Sequence, residues 1–279
     1  IKWVPDLVVA IPVAAVFPLL LHYVYFNGVN FGPAANSIVG NAVSSLMNHL
    51  LLPVTIFDGG FFLQRRNFWS QFGYGILFSV VGTGLSCFLI AAMVKYSGDA
   101  GFHPVDGWRE SIAYGAFIAD VDPIATLAIF SSLKVDSLLS TLVAAEATLN
   151  DPVALVIFGV CNKHTKELHF SLAEEGLNAA ILLVGSITFG CLLGLVLIAI
   201  FSYAHLERGA VEAAYFLACG YAAYSFGDAI GMSGIIVTLF CGLIMGVYAP
   251  RLISDCPSVY AFLGSAARLA DIGIFLVIG

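Results

Sequence analysis

Residues 176–204 read GLNAAILLVGSITFGCLLGLVLIAIFSYA, 29 consecutive positions without Asp, Glu, Lys or Arg. About 20 apolar residues are enough for an α-helix to cross the hydrocarbon core, against roughly 10 for a barrel strand. The run is long and does not alternate, so it reads as a transmembrane helix. Uncharged stretches recur at 7–57 and 71–94. Over all 279 residues 60% are apolar and 10% charged, with a mean hydropathy of +0.96. A soluble domain carries about 25% charged residues, so this chain cannot cover a water-facing surface. The expected fold is an all-α, polytopic transmembrane helical bundle.

Hydropathy marks nine spans, at 5–26, 42–63, 72–96, 110–131, 137–161, 176–203, 210–227, 231–249 and 259–279. The connections are short, so residues 1–279 read as one membrane unit. The chain starts at Ile1 without Met and stops at Gly279 inside an apolar run, and both ends read as cut. No basic, apolar and small-residue order marks a signal peptide. The six Cys show no paired spacing, which argues against a disulfide framework or a zinc site. A net charge of −7 is not a nucleic-acid signature. Lys2, Arg65, Arg66, Lys134, Arg208 and Arg251 fall on the side where the chain starts, and Lys95, Arg109, Lys163 and Lys166 on the other. This slight excess places the starting side in the cytoplasm.

Seven carboxylates fall inside spans: Asp58, Asp120, Asp122, Glu146, Asp151, Asp228 and Asp271. Facing lipid they would cost together on the order of 20 kcal/mol, and Arg268 is the only basic residue inside a span other than Lys95 at the end of one. The bundle must therefore enclose a polar, electronegative interior, which attracts cations. Asp58, Asp228 and Asp271 can sit near an interface, where an interhelical hydrogen bond explains them equally well. Asp122, Glu146 and Asp151 stand near mid-span.

Asp122 precedes Pro123, which disfavours helical backbone at Asp122 and removes a helix hydrogen bond. A broken membrane helix is tolerated where its freed groups are buried or line a cavity, as at the midplane sites of secondary transporters. The fifth span contains Glu146, Ala147, Thr148, Leu149, Asn150, Asp151 and Pro152. Glu146 and Asn150 share a helix face, while Asp151 points roughly 140° from Glu146. Pro152 frees the Thr148 carbonyl, an oxygen of the kind hard cations prefer.

These residues resemble the sodium/proton exchanger branch of the monovalent cation/proton antiporter superfamily, in order and over nearly the whole chain. Leu51-Leu52-Pro53 through Asp58-Gly59-Gly60-Phe61 is similar to the family's Leu-Leu-Pro-Pro and Asp-Ala-Gly-Tyr stretch. Val121-Asp122-Pro123-Ile124-Ala125 matches its unwound helix, and Glu146 followed by Asn150-Asp151 its Glu-Ser-Leu-Leu-Asn-Asp motif. Ser233-Gly234-Ile235 and Asp271 with Ile274-Phe275 match two later helices.

The resemblance implies an inverted-repeat antiporter fold with discontinuous helices, lacking here the first helix and the last few. It implies that Asp151 binds Na+ or H+, that Asn150 and Asp122 hold the crossed helices and help line the site, and that Glu146 is structural. Asp58 would lie on the cytoplasmic approach. It further implies a homodimer in a membrane, the plasma membrane ahead of an organelle membrane, with no cofactor beyond the transported ions. Asp120, Val54 and Pro152 depart from the family pattern, and Asp120 puts the stoichiometry in question. His49, also unusual at its place, reads as a solvated or capping residue.

The function implied is exchange of Na+ for H+, electroneutral, with K+/H+ exchange or an acid-lined cation channel as alternatives. An enzyme is not expected. Gly231-Met232-Ser233-Gly234 has the Gly-x-Ser-Gly form of a rhomboid protease, but no His follows His205 to activate the serine. Phe226-Gly227-Asp228 has only part of an aspartyl-protease motif.

Overall fold

The computed structural model describes residues 45, 47–63, 73–105, 107–119, 130, 133, 135–163, 172–204 and 209–278. Among them there are helices and turns but no strand. A π-helical turn, Met47–Leu51, leads into α1, Leu52–Leu63. α2 runs over Gly73–Asp99 with a π-helical segment, Leu77–Gly82, inside it. α3 is Trp108–Ala119, α4 Ser137–Lys163 and α5 Leu172–Ala204. α6 is Gly209–Ala229, α7 is Gly234–Tyr248 with a 3-10 turn Ala249–Arg251 after it, and α8 is Cys256–Ile278. α2 to α8 each start within a few residues of an expected span, whereas α1 starts ten residues into the span expected at 42–63. The first span, at 5–26, and the 120–129 part of the fourth lie outside the described residues.

α7 is the centre of the bundle. Two-thirds of its membrane-length window is buried (67%), against 22% for α2 and for α5. Those two present Leu85, Leu89 and Met93, and Leu192, Val196 and Ile200, outward, as lipid-facing helices should. α7 packs chiefly on α1 and α5 and also on α6, and α8 closes over α1 and α6. α2, α3 and α4 form a second group, joined to the first through α4 against α5 and α1.

Lipid tails are as apolar as the side chains, so helices in a membrane associate through close packing rather than hydrophobic burial. Gly234, Thr238, Gly242 and Gly246 recur every fourth position of α7 and share a face. A Cβ on Gly242 would stand 2.6 Å from the Phe57 carbonyl oxygen of α1, and one on Gly246 would overlap that of Phe61. On the α5 side a Cβ on Gly190 would reach the Val237 carbonyl oxygen at 2.7 Å. Beyond these contacts an aromatic cluster fills the space between helices: Phe216 of α6 lies 5.4 Å from Phe61 and 5.0 Å from Phe201 of α5, ring centre to ring centre.

Interruptions of the helices are compensated locally. Pro53 has no N–H and its ring crowds the His49 carbonyl, the turn before it is π-helical, and the Tyr221 hydroxyl donates to the nearby Leu50 carbonyl at 2.8 Å. α6 ends at Gly231, whose φ of +79° favours glycine. The Ser233 N–H after it donates to the Ser186 hydroxyl of α5 at 3.0 Å. Arg109 Nε donates to the Cys161 carbonyl at 2.6 Å. The start of α3 and the end of α4 thus lie together, in agreement with the placement of Arg109 and Lys163 on one side.

The glycine face is testable in the complete protein in detergent. Gly246→Leu should lower the thermal midpoint by an amount corresponding to about 1–3 kcal/mol of overpacking. A Cβ on Gly264 of α8 meets nothing within 4 Å, so Gly264→Ala should leave the midpoint unchanged or raise it slightly, by helix propensity.

Candidate ion site

A cavity of about 420 Å³ opens between α2, the end of α3 and the first half of α4. Phe78, Gly82, Thr83 and Ser86 line it from α2, Ala119 from α3, and Leu142, Val143, Glu146 and Asn150 from α4. The α2 wall is built on its π-helical segment, a helix irregularity found often at functional sites. Ala119 is the last described residue of α3. Asp120, Asp122 and Pro123, which follow it in the chain, lie outside the described residues, as does the side chain of Thr148.

Asn150 is 2% exposed. Its Oδ1 accepts the backbone N–H of Asp151, the residue before Pro152, at 2.8 Å. Glu146 is half-buried on the same wall. Asp151 is exposed and is not among the cavity-lining residues, as the 140° between the two acids requires. A carboxylate cannot face lipid without large cost, so Asp151 looks onto water or polar surroundings.

The other acids gather elsewhere. Asp58 of α1 lies within electrostatic reach of Asp271 and Arg268 of α8. Its Oδ1 is buried and has no hydrogen-bond partner among the described residues. Asp228 is exposed at the end of α6 beside Tyr224, apart from both groups. The structure therefore brings together Glu146 and Asn150 at the cavity, and Asp58 and Asp271 at the contact of α1 with α8. His49 sits on the π-helical turn with Nδ1 3.1 Å from the Ser45 carbonyl oxygen, a local capping contact.

Three residues were not singled out in the sequence. Thr83 and Ser86 carry no charge, and only the tertiary packing of α2 on α4 puts them on the cavity wall. Glu212, in the first turn of α6, is fully buried, and its Oε1 accepts the Ser254 N–H at 3.0 Å. Its place near a span end resembles an interfacial acid. The fold instead uses it to hold the connection between α7 and α8. The oxygen donors of the cavity suit a hard monovalent cation. Among the described residues no three His, Cys, Asp or Glu side chains converge as a metal site would need.

Comparison with known proteins places this geometry in a family. The family profile described as "Sodium/hydrogen exchanger, transmembrane" matches residues 8–279. Sodium/hydrogen exchanger 8 of Rattus norvegicus is 30% identical over 239 residues, covering 82% of this chain and 42% of the relative. The endosomal/prevacuolar sodium/hydrogen exchanger of Saccharomyces cerevisiae is 30% identical over 243 residues, covering 85% and 38%. Sodium/hydrogen exchanger 1 of Dictyostelium discoideum is 24% identical over 286 residues, covering 100% and 40%. The chain thus spans about two-fifths of the length of these curated relatives. With a profile match over nearly all its residues and helices that fall where the membrane spans were expected, the chain belongs to the sodium/hydrogen exchanger family.

Proposed function

We propose that this chain is the ion-handling part of an antiporter that exchanges Na+ for H+ by competition for the Asp151 carboxylate. The supporting observation is the arrangement on α4, in a chain of this family. Asn150 is buried and takes up the Asp151 N–H, Asp151 follows at once, and Pro152 interrupts the ladder beside a cavity edged with oxygen atoms. A bound cation favours the ionised carboxylate, while a proton removes the charge the cation needs. Only one of the two is held at a time. If the empty, ionised site cannot cross between inward-facing and outward-facing states, the two fluxes are coupled.

In this reading Asp122 helps line the site from the 120–123 segment. Glu146 supports α4 from the cavity wall. Asp58, with Asp271 and Arg268 nearby, lies on the cytoplasmic approach. One carboxylate in the Asn-Asp pair favours a one-for-one, electrically silent exchange, carried out by a homodimer. K+ in place of Na+ is the alternative cargo, and an acid-lined cation channel the alternative mechanism. The plasma membrane is the proposed location. The endosomal/prevacuolar designation of the yeast relative favours an endosomal membrane as the second reading.

Reconstitution of the complete protein in vesicles tests these points. Asp151→Asn should abolish Na+-driven pH recovery while the protein still inserts and keeps its helical circular dichroism. Transport retained by that variant overturns the assignment. Asp120→Ala addresses the extra acid: a coupled titrating group shifts the pH profile of transport, and an unchanged profile makes Asp120 a bystander. The flux should saturate with Na+ and ignore an imposed membrane potential, and a potential-driven, non-saturating flux identifies a channel.

A further inference from the structure

We propose that His103, in the connection between α2 and α3, is a proton-operated latch: the neutral imidazole ties the connection to the end of α2, and the protonated one lets it go. The latch stands on the geometry of this connection and does not depend on the exchange reading.

The end of α2 is closed by its own backbone. Gly101, at a φ of +83°, turns the chain back, and the Phe102 N–H donates to the Ser97 carbonyl at 3.1 Å. Pro104 disfavours helical backbone at His103, and the imidazole lies back on the helix. A Cβ on Gly98 would stand 3.1 Å from His103 Cε1 and would overlap the Val105 carbonyl oxygen.

Both ring nitrogens have partners, and the partners decide where the ring proton is. The Val105 N–H can only donate, and it reaches Nδ1 at 3.3 Å, so Nδ1 carries a lone pair. The Ser97 hydroxyl gives its one proton to the Val94 carbonyl at 2.9 Å. Its oxygen therefore accepts from Nε2–H of His103, 2.7 Å away. The bonds fix the neutral Nε2–H tautomer.

A second proton can go only to Nδ1. It would face the Val105 N–H, donor against donor, and the attraction would become a repulsion. Histidine changes charge between about pH 5 and 8, so the latch is held at the upper end of that range and lost as pH falls. The charged groups on the elements around the ring are Lys95 and Asp99 of α2, which pair with each other, and Arg109 and Glu110 of α3. Arg109 donates to the Cys161 carbonyl, and the Glu110 carboxylate lies over Gly107. Asp106 lies outside the described residues.

The latch holds the head of α3. The Gly107 carbonyl accepts the N–H and the hydroxyl of Ser111 at 3.1 and 2.8 Å, and the Trp108 ring stacks on Phe88 of α2 with centres 6.1 Å apart. From there α3 runs to Ala119 on the cavity wall. A proton taken up at His103 thus loosens the start of a helix that reaches the cavity.

The test is hydrogen exchange of the 101–108 segment in the complete protein in detergent, at about pH 8 and about pH 5.5, with labelling times scaled for the intrinsic pH dependence of exchange. Protection of the Val105 amide should fall roughly five- to tenfold at the lower pH, the equivalent of one net hydrogen bond. His103→Asn keeps an oxygen acceptor near the place of Nδ1 but does not titrate, and should stay protected at both pH values. Equal protection of the parent at the two pH values overturns the proposal, as does a pH-dependent loss that persists in His103→Asn. If the Asn variant fails to insert, His103→Ala replaces it: low protection at both pH values supports the latch, and a retained pH response overturns it. Asp151→Asn is run beside them. A pH response kept in that variant supports His103 as its source, and a response lost there belongs to the ion site and overturns the latch.

Discussion

Hydrocarbon offers no water to a charge or to a freed backbone group, and each irregular feature of this bundle is shaped by that constraint. At Pro53 the lost helix bond is accompanied by a π-helical turn, and Tyr221 supplies a hydroxyl to the Leu50 carbonyl. Beside Pro152 the Asn150 side chain takes up the Asp151 N–H. At Gly231 the α6 to α7 turn hands the Ser233 N–H to the Ser186 hydroxyl. At Pro53 and Gly231 the partner comes from a side chain at a fixed place on another helix. An interruption tolerated in this way becomes a rigid feature of the fold.

The same constraint explains the division of labour between the two helix groups. α7 presents small residues to α1 and α5, so backbones approach where side chains would otherwise keep them apart. That packing gains contact without any polar group and makes a dense scaffold. The cavity lies wholly in the other group, between α2, α3 and α4. There the α2 helix is interrupted and the wall carries hydroxyl, amide and carboxylate oxygens. Density and polarity are segregated, and the oxygen-bearing wall of the cavity sits away from the tightest seams.

The helices were legible because an uncharged run longer than a membrane is thick has few other readings, and α2, α4, α5 and α6 fall close to their expected bounds. Asn150 and Asp151 were legible because charge at mid-span is costly and proline beside it is rarer still. The π-helical segment Leu77–Gly82 was not, since no proline marks it and its register depends on packing against α4. Thr83 was hidden for the same reason: a threonine in a membrane helix is ordinary until packing puts it on a cavity wall. Glu212 was hidden by position, because two or three residues decide whether an acid at a span end meets water or a loop. The proximity of Asp58 to Asp271 and Arg268 joins residues over two hundred positions apart, and no local pattern encodes such a contact.

Asn150 shows why the pair at 150 and 151 works as a unit. The Asp151 N–H can only donate, so the atom of the Asn150 amide that meets it is the oxygen, and the orientation of that amide is fixed by the bond. A carboxylate at this position would accept the same N–H equally well. The backbone therefore gives no reason to prefer Asn over Asp here, and the difference between them is one negative charge on the cavity wall. With Asn, Glu146 is the one carboxylate lining the cavity among the described residues, and Asp151 lies on the other side of α4. A second charge beside Glu146 would raise the cost of burying both unless a proton or a second cation neutralised it. Keeping position 150 neutral limits how many charges this wall must balance, the electrostatic condition that the proposed one-for-one exchange would require.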